Sequence, residues 1–172
     1  YLATNGNWRE LAERLQSVFG IVSVSPVLKR DLDLDDIKAG AVAVVADTEG
    51  KTFKVETRRS NKAFPLTSPE ISRVIGGHVL ANFPHLQVDV HNPDFVLNVE
   101  VRQEGALLYS QIIPWLGGLP AGSSGKGLLL LSGGIDSPVA GFLAMKRGVQ
   151  VEGLHFHSYP FTSERSKEKV IE

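Results

Sequence analysis

The sequence predicts an α/β protein in two parts: an α+β region, then the first βαβ unit of a parallel sheet. Three observations carry this. Leu128–Leu131 is an apolar strand that runs into the turn Ser132-Gly-Gly-Ile-Asp-Ser137, a helix ending at Gly148 and a further strand over Val149–His157. The first 112 residues instead mix helical periodicity with short alternating strands. Between the two, Pro114–Gly127 holds five glycines and two prolines in fourteen residues, the composition of a linker or an interdomain strap.

Taken in order, Asn7-Trp-Arg-Glu10 has the spacing of a capping box. Trp8, Leu11, Leu15, Val18 and Phe19 then fall on one helical face, and Gly20 is expected to end that helix. Ile21–Ser25 alternates as a short strand before Pro26. Leu34, Ile37, Ala41, Val44 and Val45 mark a second helix, with Asp33, Asp35 and Asp36 suiting the positive end of its dipole. Thr52–Arg58 reads as a strand with Phe53, Val55 and Thr57 on one face and Lys54, Glu56 and Arg58 on the other. Ser68-Pro69 predicts a helix start, serine as the N-cap, with Ile71, Val74, Ile75 and Val79 as the apolar stripe. Strands at Gln87–Val90, Phe95–Val101 and Leu107–Ile112 complete the region with an antiparallel character.

Composition bounds the function. With 42% apolar residues in 172, one or two domains can bury a real core. A net charge of −1 means that any nucleic-acid site is a local patch. No apolar run approaches the ~20 residues of a membrane span. The absence of cysteine excludes disulfides, cysteinyl zinc and thiol chemistry within this chain, and the five scattered histidines suggest no metal site. A cytoplasmic protein is expected. The chain opens on Tyr1 and closes in Ser163–Glu172, which reads as the first turns of a helix, so it is expected to be part of a longer protein.

A buried strand, a Gly-Gly turn and a helix N-terminus together suit an anionic ligand, because the first helical amides lack internal partners and the dipole favours negative charge. Gly133 and Gly134 let the main chain approach a phosphate, beside the hydroxyls of Ser132 and Ser137. Two familiar nucleotide motifs fail here. A Gly-x-x-x-x-Gly-Lys-Ser/Thr loop ending at Gly125-Lys126 would need glycine at Pro120 and serine or threonine at Gly127, and it would follow a strand. The dinucleotide pattern Gly-x-Gly-x-x-Gly is absent after Leu131.

Residues 51–73 carry a local excess of four positive charges. Lys54, Arg58, Arg59, Lys62 and Arg73 are candidates for phosphate contacts, and Phe64 for stacking on an unpaired base. A solvated basic face is the alternative. Gly76-Gly77, inside a predicted helix, suggests the close approach of another backbone.

The Ser-Gly-Gly-Ile-Asp-Ser loop resembles that of the PP-loop ATP pyrophosphatases. The resemblance implies that Ser132, Gly133, Gly134, Asp136 and Ser137 grip the pyrophosphate of ATP, with Asp136 required for adenylation as a Mg2+ ligand or organiser of the loop. It also implies that Leu130, Leu131, His155 and Phe156 touch the adenosine. Thr52–Pro65, then Ser68-Pro-Glu-Ile71, then Val88–Asp94 look like a THUMP domain, an RNA-binding module.

In that order, and with Gly117–Lys126 between them, the two motifs resemble the bacterial tRNA 4-thiouridine synthetases. The resemblance implies a ferredoxin-like tail at 1–28, a THUMP domain at 29–112, an interdomain linker at 113–126 and a truncated ATP-binding domain at 127–172. The implied reaction is adenylation of the uridine at position eight of tRNA, followed by displacement of AMP by persulfide sulfur. Thiamine biosynthesis is a second outlet for that sulfur. The implied partners are tRNA, a cysteine desulfurase and a second copy in a homodimer. Another PP-loop adenylating enzyme and a non-catalytic RNA-binding module are the alternatives.

Overall fold

The computed structural model describes residues 2, 7–157, 168, 170 and 171. The elements are α1 (Trp8–Leu15), β1 (Ser23–Val24), β2 (Leu28–Arg30), α2 (Leu34–Ala46), β3 (Thr52–Arg59), α3 (Ser68–Asn82), β4 (Gln87–Val88), β5 (Phe95–Arg102), β6 (Gly105–Tyr109), β7 (Ile113–Pro114), β8 (Lys126–Leu131), α4 (Asp136–Lys146) and β9 (Gln150–His155). The chain divides into two compact units. One is Ser25–Ile113; the other joins residues 1–24 to residues 114–172. The helix expected over Ser163–Glu172 lies largely outside the described residues.

In the unit Ser25–Ile113, a five-stranded sheet runs in the order β2-β6-β5-β3-β4. The antiparallel character expected for the last strands holds for β5–β6; β2 also pairs antiparallel with β6, and β3 runs parallel to both β4 and β5. The cause is α3, which carries the chain from the end of β3 back to the start of β4, as a parallel crossover requires. Ile37, Ala41 and Val45 of α2 and Ile71, Ile75 and Val79 of α3 pack with Phe53, Leu97, Val99, Val101 and Leu108 in one core. Phe53 and Phe95 stack there with centroids 5.8 Å apart.

The helix starts follow local chemistry. The Asp33 carboxylate accepts from the amides of Asp35 and Asp36, both at 3.0 Å, and so caps α2. The cap of α3 is Thr67, not Ser68, which moves Ser68-Pro69 into the first turn. Glu70 reaches back to accept from the Thr67 amide at 2.7 Å and its hydroxyl at 2.6 Å, an arrangement that Ser68 is one residue too late to make. Strand β2, which was not expected from the sequence, pairs Leu28–Arg30 with Ala106–Leu108. Its three residues are too few to show a period.

In the other unit, β8 and β9 lie parallel, and Leu131 is paired with His155. Gly141 brings α4 onto β8: a Cβ there would stand 2.6 Å from Leu129 Cδ2. Helix α1 stops at Leu15 rather than near Gly20, because Gln16 and Val18 bond to Glu13 and Leu15 in tightened i→i+3 turns. Phe19 thereby leaves the helix and packs edge-on against Phe142 of α4, 5.2 Å between centroids.

The glycine-rich stretch is bonded on both sides within this unit. Trp115 and Gly117 donate to the carbonyls of Val22 and Ile21. On the other side Leu119 donates to Lys146 O at 3.0 Å, the Ser124 hydroxyl to Arg147 O at 2.7 Å and the Ser124 amide to Gly148 O at 3.0 Å. These bonds satisfy carbonyls at the C-terminal end of α4 that the helix itself leaves open. Gly118 adopts φ +83°, and a Cβ there would collide with the Lys146 carbonyl, so glycine is what lets the stretch lie this close.

Candidate functional site

The loop Ser132–Ile135 leaves the carboxyl end of β8 and enters α4 at Asp136. Gly133 takes φ +74°, which turns the chain sharply. The Ser132 amide donates to Ser137 Oγ at 3.4 Å, a long bond that ties the two ends of the loop. The amides of Gly133, Gly134, Ile135 and Asp136 have no partner among the described residues. Ile135 at the cap position offers no side-chain acceptor for these donors.

His155 stands beside the loop because of the β8–β9 register. Its Nδ1 lies 2.7 Å from the Leu131 carbonyl and must carry the proton, since a carbonyl only accepts. The other ring nitrogen, Nε2, is buried without a hydrogen-bond partner among the described residues. Leu130 and Phe156 are exposed at the same strand ends, 59% and 71%, and Asp136 is exposed in the first turn of α4. The residues expected to meet ATP thus gather at the carboxyl ends of two parallel strands, where ligands of open α/β sheets bind. Among the described residues no group of three or more histidine, aspartate or glutamate side chains forms a metal cage.

Of the basic candidates, Lys54 and Arg73 line one groove, whereas Arg59 is turned into the fold. Lys54, Glu56 and Arg58 lie along one face of β3, with Lys54 Nζ 3.5 Å and Arg58 Nη2 3.8 Å from the Glu56 carboxylate. The Arg58 side chain is 74% exposed. Arg59 faces the other way: its Nη1 donates to Phe64 O at 2.9 Å and, weakly, to Lys62 O at 3.5 Å. It holds the 60–65 loop from within. Lys62 and Arg73 are exposed, and Arg73 makes no ion pair among the described residues. Phe64 departs from the expectation of a stacking side chain. It is 7% exposed and belongs to the core, because a phenyl ring beside Ile71 and Val101 gains more from burial than from solvent.

A groove of about 440 Å³ opens between α3, β3 and the segment after β4. Arg73, Gly76, Gly77 and Leu80 line it from the helix, and Val88 and Val90 from the strand side. Sequence reasoning missed it, although Arg73, Gly76, Gly77 and Leu80 stand at i, i+3, i+4 and i+7, which is one helical face.

Residues 32–111 match the THUMP domain family, and residues 122–172 match the family described as thiamine biosynthesis protein (ThiI). A probable tRNA sulfurtransferase of Moorella thermoacetica is 60% identical over 162 residues, covering 94% of this chain and 42% of that protein. Over nearly its whole length the chain is similar to proteins named as probable tRNA sulfurtransferases. A probable tRNA sulfurtransferase of Acetivibrio thermocellus is 59% identical over 175 residues, covering 99% of this chain and 44% of that one. The chain therefore spans less than half the length of these curated relatives. Among solved structures, a 4-thiouridine synthetase–RNA complex with bound ATP superposes with a TM-score of 0.89 at 42% identity, over 99% of this chain and 44% of that chain. PH1313 from Pyrococcus horikoshii Ot3 gives 0.83 at 34% identity, over 95% and 55%. No helix among the described residues is long and apolar enough to cross a membrane.

Proposed function

We propose that this chain is the RNA-holding and ATP-gripping part of an ATP-dependent tRNA sulfurtransferase. The observation that carries the reading is the loop Ser132–Ser137, whose open amides stand at the end of parallel strands in a chain that also bears a THUMP domain. The related 4-thiouridine synthetase structure holds both RNA and ATP, which supports both ligands.

In the whole protein the loop amides and the Ser132 and Ser137 hydroxyls hold the pyrophosphate portion of ATP, while Leu130, Leu131, His155 and Phe156 hold the adenosine. The carbonyl oxygen of the uridine at position eight attacks the α-phosphorus, and the bond to pyrophosphate breaks. The open amides and the dipole of α4 stabilise the charge that accumulates on the departing group. The outer sulfur of a persulfide then attacks the carbonyl carbon, and the C–O bond to AMP breaks. A second thiol cleaves the S–S bond, leaving sulfur on the base and a disulfide on the carrier. That sulfur is carried outside this chain, which contains no cysteine. Lys54, Arg58, Lys62 and Arg73 contact tRNA phosphates.

A single carboxylate, Asp136, beside a phosphate site fits magnesium, which takes one or two carboxylates together with substrate oxygens and needs no protein cage. Held by Asp136, the ion would supply charge neutralisation at the phosphates. We further propose a cytoplasmic homodimer, a cysteine desulfurase as sulfur donor and a second sulfur outlet in thiamine biosynthesis.

The test is equilibrium binding of radiolabelled ATP to the full-length protein and to its Asp136→Ala variant. Loss of most binding in the variant, with tRNA retention unchanged, is expected. Undiminished binding in Asp136→Ala would remove the loop from the site, and tRNA binding without any ATP binding would favour a non-catalytic RNA module.

A further inference from the structure

The bonds between the glycine-rich stretch and α4 fall on three successive carbonyls: Lys146, the last helical residue, Arg147, the cap, and Gly148 beyond it. Leu119 holds the first and Ser124, through its hydroxyl and its amide, the other two. The surfaces fit closely from both sides. A Cβ on Gly118 would collide with Lys146 O, and one on Gly148 would collide with Ser123 Oγ and stand 3.0 Å from Leu119 Cβ.

The stretch is also anchored on its far side. The Gly20 amide donates to Gly117 O at 2.9 Å, the Gly117 amide to Ile21 O at 2.9 Å and the Trp115 amide to Val22 O at 2.8 Å. A segment tied to α4 alone would travel with it. One tied on both sides fixes the end of the helix against residues 20–22. Helix α4 has 11 residues and is therefore about 16 Å long. Its hydrogen-bond ladder makes it stiff along its axis, so a displacement at Lys146 is delivered at Asp136. The amides of Gly133–Asp136, which have no partner among the described residues, move with that first turn.

We infer that the stretch sets the depth of the ATP loop: Leu119 and Ser124 are positioning residues that hold α4 by its C-terminal carbonyls and so place the Gly133–Asp136 amides against the pyrophosphate portion of ATP. The inference rests on the ATP-binding reading above and adds to it residues that never touch the nucleotide. Hydrogen bonds to the phosphates weaken steeply when their donors are misplaced. The adenosine portion, held at the ends of β8 and β9, does not depend on where α4 sits along its axis. A disturbed stretch therefore weakens ATP and spares AMP, whereas general loosening of the fold weakens both.

The experiment measures equilibrium binding of ATP and of AMP to the full-length protein and its variants. Gly118→Ala, which drives a methyl group into Lys146 O, should lower ATP affinity about tenfold, and Ser124→Ala, which removes one hydrogen bond, about threefold. AMP affinity should be unchanged in both. Ser124→Thr keeps the hydroxyl and should bind ATP as the wild type does. Gly122→Ala is the control: Gly122 shares the φ of +83° found at Gly118, yet a Cβ there would meet only Gln150 Oε1, at 3.9 Å, among the described residues. It carries the same backbone strain without touching α4, and its ATP affinity should hold. Should Gly118→Ala fail to fold, Ser124→Ala against Ser124→Thr decides. Equal loss of ATP and AMP, equal loss of ATP in Gly118→Ala and Gly122→Ala, or undiminished ATP binding in the folded variants would overturn the positioning role while sparing the broader reading. A wild-type protein that binds no ATP sinks both.

Discussion

Arg58 and Arg59 are adjacent in sequence and equivalent in charge, yet replacing each with alanine should give opposite phenotypes. Arg59 Nη1 donates to the Phe64 carbonyl at 2.9 Å in a part-buried setting, and its second contact, at 3.5 Å, is too long to add much. A hydrogen bond from a charged donor contributes about 1.5–3 kcal/mol, and partial exposure moves this one to the lower end, about 1–2 kcal/mol. For a unit of this size that is a fall of roughly 5–10 °C in thermal midpoint. Arg58 is 74% exposed and 3.8 Å from an exposed glutamate, so Arg58→Ala should change stability by less than about 0.5 kcal/mol. Its effect should instead appear on RNA. The slope of log affinity against log salt should shrink by about one, because one phosphate contact is lost. Calorimetry and a salt-titrated gel shift on both variants measure the two quantities. If Arg59→Ala melts with the wild type and flattens the salt dependence as Arg58→Ala does, the division between a structural and a ligand-facing arginine is wrong.

Three further outcomes follow from single contacts. Gly141→Val should loosen α4 from β8, since even a Cβ would stand 2.6 Å from Leu129 Cδ2; overpacking of this kind costs about 1–3 kcal/mol and should be read as a lowered midpoint together with weaker ATP binding. Asp94 is held below the ordinary carboxylate range by hydrogen bonds from the Lys51 amide and then from Thr52. Its depressed folded-state pKa means that its contribution is complete above the unfolded value and is lost as pH falls through the folded one. Asp94→Asn should therefore flatten the acid limb of the stability–pH profile, whereas an unaltered limb would show the bonds to be without consequence. Asp136→Ala should leave the thermal midpoint within about 2 °C, because an exposed carboxylate with no hydrogen bond among the described residues contributes little to folding; a larger fall would make it a structural residue.

What the sequence determined by itself is what local rules govern. The helices over α2 and α3, the strands β3 and β5, and the strand–turn–helix–strand run from β8 to β9 were legible because periodicity, caps and glycine turns act within a few residues. The turn Ser132–Ser137 was legible for the same reason: its glycines and hydroxyls are consecutive in the chain. The tertiary structure alone decided whatever depends on partners far apart in sequence. Strand β2 is defined by pairing with residues more than seventy positions later. The glycine-rich stretch is fixed by carbonyls at the end of α4 as well as by residues 21 and 22, neither of which its composition announces. The basic run divides because alternate residues of a strand point to opposite faces, so that Arg58 meets solvent and Arg59 the loop it supports. Phe64 enters the core because α3 and β5 are there to receive it. The groove exists because α3 crosses the sheet beside the point where β4 stops pairing with β3. A linear pattern fixes which face a side chain takes; the packing of distant segments decides whether that face meets water, core or ligand.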